Sequence, residues 1–232
     1  MITACWSLKG GAGTTVVAAG LALALAQRRG FARSRDHGAS ADPRPVVLVD
    51  LAGDLPAALG LPDASGPGVA EWIQAGPSAP PDALARIETQ VRPGLALLHR
   101  GHGDLATGRD RLLLQVLALS GSHVVIDCGT IEPHGPATFA RDVAAGAERS
   151  LLVTRPCYLA LRRSTNAQLC ANGVVVLREP GRCLSDDDIA RFLGIPVVAS
   201  IAVDPAVSRA VDTGLLVARL PRTFNEVMRR VS

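Results

Sequence analysis

Short apolar runs rich in Val, Ile and Leu alternate along this chain with longer segments whose apolar positions recur at helical spacing. The short runs predict strands buried on both faces, which is the condition of a parallel sheet covered by helices. They fall at Ile2–Trp6, Val46–Val49, Leu95–Leu98, His123–Asp127, Ser150–Thr154, Val174–Leu177 and Val197–Ala202. Helices are predicted between them at Thr14–Arg29, Gly108–Leu119, Thr138–Gly146, Leu159–Cys170, Asp186–Leu193, Pro205–Thr213 and Phe224–Val231. The alternation predicts an α/β fold, doubly wound, with a mostly parallel seven-stranded sheet and helices on both faces.

Local signals refine that outline. Ser185 followed by Asp188 resembles a capping box, and Asp186 to Asp188 put negative charge on the positive end of the helix they open. Phe224, Val227, Met228 and Val231 recur at i, i+3, i+4, i+7, with Arg229 and Arg230 on the other side. Such a basic amphipathic helix either docks on the core or lies weakly on an anionic membrane, and four apolar residues favour docking. The Pro/Gly/Ala-rich stretch from Gly60 to Pro81 reads as an ornamented connection, and no composition shift marks a second core, so residues 1–232 are expected to form one domain.

Composition narrows the classes of function. With 232 residues, 48% hydrophobic and 19% charged, a disordered or collagen-like chain is excluded. The net charge of +3 is spread without a basic block, which disfavours DNA as a partner. Of the 24 basic residues only Lys9 is a lysine. Cys5, Cys128, Cys157, Cys170 and Cys183 contain no C-x-x-C pair and suit reduced thiols in a cytoplasmic protein, peripheral to a membrane at most. The apolar run Val16–Ala26 has the small-x-small ending of a signal peptide, yet it is well short of the ~20 residues that span a bilayer and follows a glycine-rich loop.

That loop carries the chemistry. Strand Ile2–Trp6 runs into Ser7-Leu8-Lys9-Gly10-Gly11-Ala12-Gly13-Thr14-Thr15 and directly into a helix, the context a phosphate-binding loop requires. Glycines let consecutive N–H groups turn toward an anion, and the helix end adds partial positive charge. The segment Lys9-Gly10-Gly11-Ala12-Gly13-x-Thr15 resembles the deviant Walker A loop, K-G-G-x-G-K-[ST], of the ParA/MinD superfamily. Val46–Asp50 with Leu59-Gly60-Leu61 resembles that family's second strand and switch I. His123–Gly129 resembles its Walker B strand and switch II, and Gly194–Val197 through Asp204-Pro205, Arg209-Ala210 and Gly214 resembles its late adenine-side segment. The compact chain is similar to the MinD-like CpaE/TadZ proteins.

The resemblance implies a P-loop NTPase-like fold of the SIMIBI type that binds ATP or ADP with Mg²⁺. It implies nucleotide contacts from Lys9, Gly10, Gly11, Ala12, Gly13, Thr14, Thr15, Asp204 and Pro205, Mg²⁺ ligation by Thr15, Asp50 and Asp127, and catalytic roles for Lys9 and Asp50. Lys9 would reach the partner's phosphates across a homodimer, and a lone ammonium in an otherwise Arg-only chain supports that over a solvated loop charge. Departures from the family pattern matter as much. Thr14 replaces the loop Lys that bridges the β- and γ-phosphates, so binding is expected to be weak. Ala52 replaces the Asp that orients the attacking water, so hydrolysis is expected to be slow or absent, unless Asp54 substitutes. Leu177-Arg178 stands where an adenine-side Asn belongs, and Arg178 either stacks on a base or caps the sheet edge.

Other constellations weigh less. His99, His102 and Asp104 have an H-x-x-H-x-D spacing without a helix or further ligand, more in keeping with a strand-end loop than a metal site. Cys128 reads as a small residue packed under switch II, Trp72 as core or, if exposed, a contact anchor, and Ser7 and Ser122 lack nucleophile-elbow partners. The function expected is that of a spatial organiser or assembly factor in division, pilus or secretion, or partitioning, acting through a protein partner. The alternatives are a partner-stimulated ATPase and a nucleotide-independent dimeric scaffold.

Overall fold

The computed structural model describes residues 1–35, 45–76, 79–80, 82–133, 135, 138–165, 169 and 171–231. Its backbone is one eight-stranded sheet in the order β3-β4-β2-β5-β1-β6-β7-β8. In chain order the strands are β1 (Ile2–Ser7), β2 (Val46–Asp50), β3 (Thr89–Arg92), β4 (Leu95–Leu98), β5 (His123–Thr130), β6 (Arg149–Thr154), β7 (Gly173–Arg178) and β8 (Val197–Ala202). The seven predicted strands are all present and mutually parallel. The count of seven is corrected by β3, which pairs antiparallel with β4 at the sheet edge. Its sequence, Thr-Gln-Val-Arg, holds one apolar residue and has no periodicity to detect; the ladder to β4 makes it a strand.

The helices are α1 (Thr14–Arg35), α2 (Leu55–Leu59), α3 (Val69–Ala75), α4 (Ala83–Arg86), α5 (Asp110–Leu119), α6 (Phe139–Gly146), α7 (Tyr158–Thr165), α8 (Asp186–Leu193), α9 (Pro205–Asp212) and α10 (Arg222–Val231). Helix α1 continues through Gly30, whose helical cost of about 1 kcal/mol does not stop it. The ornamented connection from Gly60 to Pro81 holds α3, and α2 ends just before it, both too short for helical periodicity to accumulate; Pro77, Ser78 and Pro81 lie outside the described residues, as do residues 166–168 and Cys170 of the predicted Leu159–Cys170 helix. Thr138 caps α6, and the box of Ser185 and Asp188 closes on α8 with Asp188 N–H donating to Ser185 Oγ at 3.1 Å.

Strand alternation divides the core between the two faces. Cys5, Leu48, Val125, Val153 and Val175 pack with α1, α2, α9 and α10. Their neighbours Trp6, Val47, Val49, Ile126 and Leu152 pack with α3, α5 and α6, while Val174 and Val176 meet α7 and α8. Trp72 is half-buried against the second of these clusters. The apolar stripe of α10 lies on the core, with Phe224, Met228 and Val231 buried, because Gly20 in α1 leaves room for the Phe224 ring. That burial removes the surface stripe a membrane-lying helix needs. Among the described residues no helix is long and apolar enough to cross a membrane. Central β1, flanked by β5 and β6, brings the loop after it to the carboxyl end of the sheet, where open α/β sheets bind ligands.

Candidate functional site

All six residues of β1 are buried, which fixes where the following loop begins. The Ser7 hydroxyl lies 3.2 Å from the Lys9 carbonyl and 3.4 Å from that of Gly129, and the Ile131 amide donates to the Ser7 carbonyl at 2.8 Å, so the loop is laced to the end of β5. From α7, Arg163 donates to the Leu8 carbonyl at 3.2 Å. Gly13 has φ +91°, where any side chain would be strained, and a Cβ there would sit 2.5 Å from Leu177 Cδ1 and force that side chain to move. A Cβ on Gly10 or Gly11 would meet nothing within 4 Å. The space beside these two glycines is therefore open, as a phosphate cradle requires. The amides of Thr14, Thr15 and Val16 open α1 and have no acceptor within the helix.

The cleft in front of the loop has a volume of about 580 Å³. Gly11 to Thr15 line one side, Ala52, Asp54 and Gly129 the other. Among the described residues its lining contains one carboxylate and no basic side chain. Thr14, 6% exposed, stands in this lining where a lysine would have supplied charge. Lys9 is exposed and, among the described residues, its ammonium has no ion-pair partner. It lines a separate cavity of about 150 Å³ on the α7 side of the loop, with Thr154, Arg155 and Ser164. The fold does not bring Lys9 into its own cleft.

Behind the cleft lie the buried carboxylates. Asp50 accepts N–H bonds from Ala52 at 3.0 Å, Gly53 at 2.6 Å and Leu55 at 3.1 Å, which shape the turn into α2. Burial nonetheless holds its pKa above the ordinary value, against those three bonds. Asp50 thus serves the loop backbone, while Asp54, four residues on, faces the cleft. Asp127 is fully buried and accepts from the Gly129 amide at 3.0 Å through Oδ1, while its Oδ2 has no partner. Burial, then the nearby charges of Asp50 and Asp54, push its pKa up to about 6 against the Thr15 hydroxyl and the Gly129 amide. An orphaned carboxylate oxygen beside a threonine hydroxyl at a phosphate cradle is the donor set that Mg²⁺ accepts, one or two protein oxygens with phosphate and water completing the shell. Thr15 and Asp127 fit that ion; Asp50 stands behind them. Cys128 is buried beneath the same loop, and Gly129 lies so near Ala52 that a Cβ on it would be 2.9 Å from the Ala52 Cβ.

On the other flank, Asp204 caps α9 by accepting from Ala206 N–H at 2.7 Å, with Pro205 as the first helical residue. Arg178 sits at the sheet edge: it donates to Ser200 Oγ at 2.9 Å and to the Leu184 carbonyl at 2.9 Å, and pairs with Asp186. A charged residue that lines both cavities flanking the loop, and that the sequence alone does not single out, is Arg155. Its signal was position: an Arg immediately after the strand that neighbours β1. His99 accepts from the Gly101 amide through Nδ1, and the His102 and Gly103 amides both donate to Glu71, so this loop is braced on α3. Among the described residues no cluster of three metal-ligating side chains occurs, and Cys5, Cys128, Cys157 and Cys183 are free thiols.

No family model and no curated protein sequence matches the chain. Solved structures do. A ParA family ATPase from Chlorobium tepidum is 19% identical with a TM-score of 0.72, over 100% of this chain and 97% of that one. The septum site-determining protein MinD of Pyrococcus horikoshii, complexed with Mg-ADP, is 21% identical with a TM-score of 0.70, over 100% and 94%. The MinD cell division protein of Aquifex aeolicus is 17% identical with a TM-score of 0.74, over 99% and 96%. The chain has the ParA/MinD fold.

Proposed function

We propose that this protein is a ParA/MinD-like nucleotide-binding switch that acts as a spatial organiser or assembly factor and hydrolyses ATP slowly or not at all. The observation that carries this is the cleft: an open glycine cradle at a helix N-terminus with an orphaned Asp127 oxygen behind it and, among the described residues, no basic side chain in its lining. The similar MinD of Pyrococcus horikoshii is complexed with Mg-ADP, which supports the same ligand class here. Backbone amides and Mg²⁺ held by Thr15 and Asp127 would bind the diphosphate, weakly for want of a charge at Thr14. Mg²⁺ would supply neutralisation of the phosphate charge. The exposed Lys9 ammonium, without an ion-pair partner among the described residues, would act on the nucleotide of a second copy in a homodimer, whose switch segments around Asp50 and Asp127 report occupancy to a protein partner. The partner belongs to a division, pilus or secretion, or partitioning system; DNA remains disfavoured by the even charge.

A partner-stimulated ATPase is the second reading, favoured by one observation: Asp54 faces the cleft although Ala52 cannot hold a water. Phosphate release with Mg-ATP separates the two. Wild type is expected to show none above background. Thr14→Lys should tighten binding by roughly 10- to 100-fold without turnover, and only Thr14→Lys with Ala52→Asp should hydrolyse, non-additively. Robust wild-type turnover, lost in Asp54→Ala, would establish the ATPase instead.

A further inference from the structure

The cavity of about 150 Å³ on the α7 side of the loop has a chemistry opposite to that of the cleft. Among the described residues its lining holds two cations, Lys9 and Arg155, and no carboxylate. Gly11 and Ala12 stand in both linings, so the loop is the wall between the two spaces. The positive side chains that the cleft lacks are gathered on the other side of that wall. Buried Leu152 and Val153 supply apolar surface beside them, where the field of like charges is concentrated on whatever enters. The volume is below the roughly 300–1,000 Å³ of sites that enclose drug-sized ligands, and it has room for one small ion with a few waters.

Glu179, the carboxylate nearest Arg155, does not cancel this charge. Its Oε1 accepts from Arg155, and its Oε2 accepts from two nitrogens of Arg182 at 3.0 and 2.6 Å, so one carboxylate serves two guanidinium groups. The pairing fixes Arg155 in place and occupies Nη1 alone. Nε is buried, but Nη2 is neither buried nor hydrogen-bonded among the described residues. A guanidinium only donates, so Nη2 is open to an acceptor and to nothing else. Arg163 adds a further cation beside Leu8, whose carbonyl it binds at 3.2 Å and which also lines the cavity. The amides of Gly10 and Gly11, in the same lining, have no acceptor among the described residues. Two cations, a fixed guanidinium N–H and two open backbone donors around a small space match an anion with several oxygens.

We propose that this cavity is an anion site separate from the nucleotide cleft, and that in the unassembled chain it takes one tetrahedral oxyanion, the free phosphate ion or the phosphate end of a small ester, on Lys9 and Arg155. The site stands whether or not the cleft binds nucleotide. Calorimetric titration of the full chain with inorganic phosphate tests it, with chelator present and ionic strength held constant with chloride, on wild type, Lys9→Gln, Arg155→Gln, Ser164→Leu and the α10 control Arg222→Gln. Ser164 lines the cavity, so leucine there fills it without removing a charge. None of Lys9, Arg155 and Ser164 lines the cleft, so dependence on all three locates the ion. Wild type should bind one phosphate saturably, with Kd in the millimolar range or below. Lys9→Gln and Arg155→Gln should each weaken it by about 5-fold or more, and Ser164→Leu by about 10-fold or more. Should Arg155→Gln misfold, exposed Lys9 and the filled cavity still decide the matter. Arg222→Gln, which removes the same charge from an exposed position, should change Kd by less than about 2-fold. A parallel titration with glycerol 3-phosphate names the source: tighter binding than phosphate assigns the end of an ester, weaker binding the free ion, and each supports the site. No saturable binding up to about 10 mM phosphate, or binding indifferent to Lys9, Arg155 and Ser164, overturns the proposal.

Discussion

Replacing Asp127 by Asn should make the nucleotide-free protein more stable at neutral pH. Asp127 is fully buried, its Oδ2 lacks a partner, and its pKa rises from 3.8 to about 6. A carboxyl whose folded pKa lies above its unfolded value favours the fold while protonated. That contribution is complete below pH 3.8 and is lost as pH rises through about 6. That rise corresponds to about 3 kcal/mol. Asn keeps the bond from the Gly129 amide but brings an NH2 group of its own to satisfy, so the net gain expected is about 1–3 kcal/mol, or roughly 2–10 °C in Tm for a chain of this size. Urea and thermal unfolding of both proteins from pH 4 to 8, with chelator present, measures it. The gap should be absent near pH 4, open up to about pH 6 and stay constant above it. A variant no more stable than wild type at pH 7.5, or a gap of the same size at every pH, would refute the account of Asp127 as a carboxylate kept for a cation at the cost of the fold.

Lys9→Ala should impair nucleotide-dependent dimerisation, followed by light scattering, while leaving Tm nearly unchanged, because the exposed side chain buries little. Gly60→Ala should destabilise by at least about 2 kcal/mol in chemical unfolding: its φ is +71°, and an added Cβ would lie 2.0 Å from the Gly214 carbonyl, a backbone atom that cannot swing aside. Gly20→Ala should cost about 1–3 kcal/mol of overpacking, since the new methyl would sit 2.3 Å from Phe224 Cε1. It should also increase protease cleavage near α10, which an undocked helix would not show.

How much of this was legible beforehand follows from where each signal resides. The parallel strands announce themselves because burial on both faces demands unbroken apolar runs such as Val46–Val49. The phosphate loop is legible because glycine at positive φ between a buried strand and a helix is a local requirement, met at Gly11 and Gly13. Strand β3 is not, since pairing with β4 and not composition makes it. Side-chain allegiance is also hidden. Asp50 carries the expected acidic position, yet three backbone amides claim it, and the carboxylate facing the cleft is Asp54. Arg178 and Arg155 look alike in sequence; only the packing of β7, β8 and α8 commits the first to Ser200 and Asp186 and leaves the second beside the loop.

The central claim is that the cleft before Gly10–Thr15 binds a nucleoside phosphate through backbone amides and Mg²⁺, without help from a lysine in the same subunit. Isothermal titration of the wild-type chain with ADP, with and without Mg²⁺, tests it most directly, repeated on Asp127→Asn. Saturable binding in the micromolar range or weaker, strengthened by Mg²⁺ in the wild type and not in the variant, is the result expected. Absence of heat and of ligand-induced thermal stabilisation up to millimolar ADP, or tight binding indifferent to Mg²⁺ and to Asp127, would contradict it.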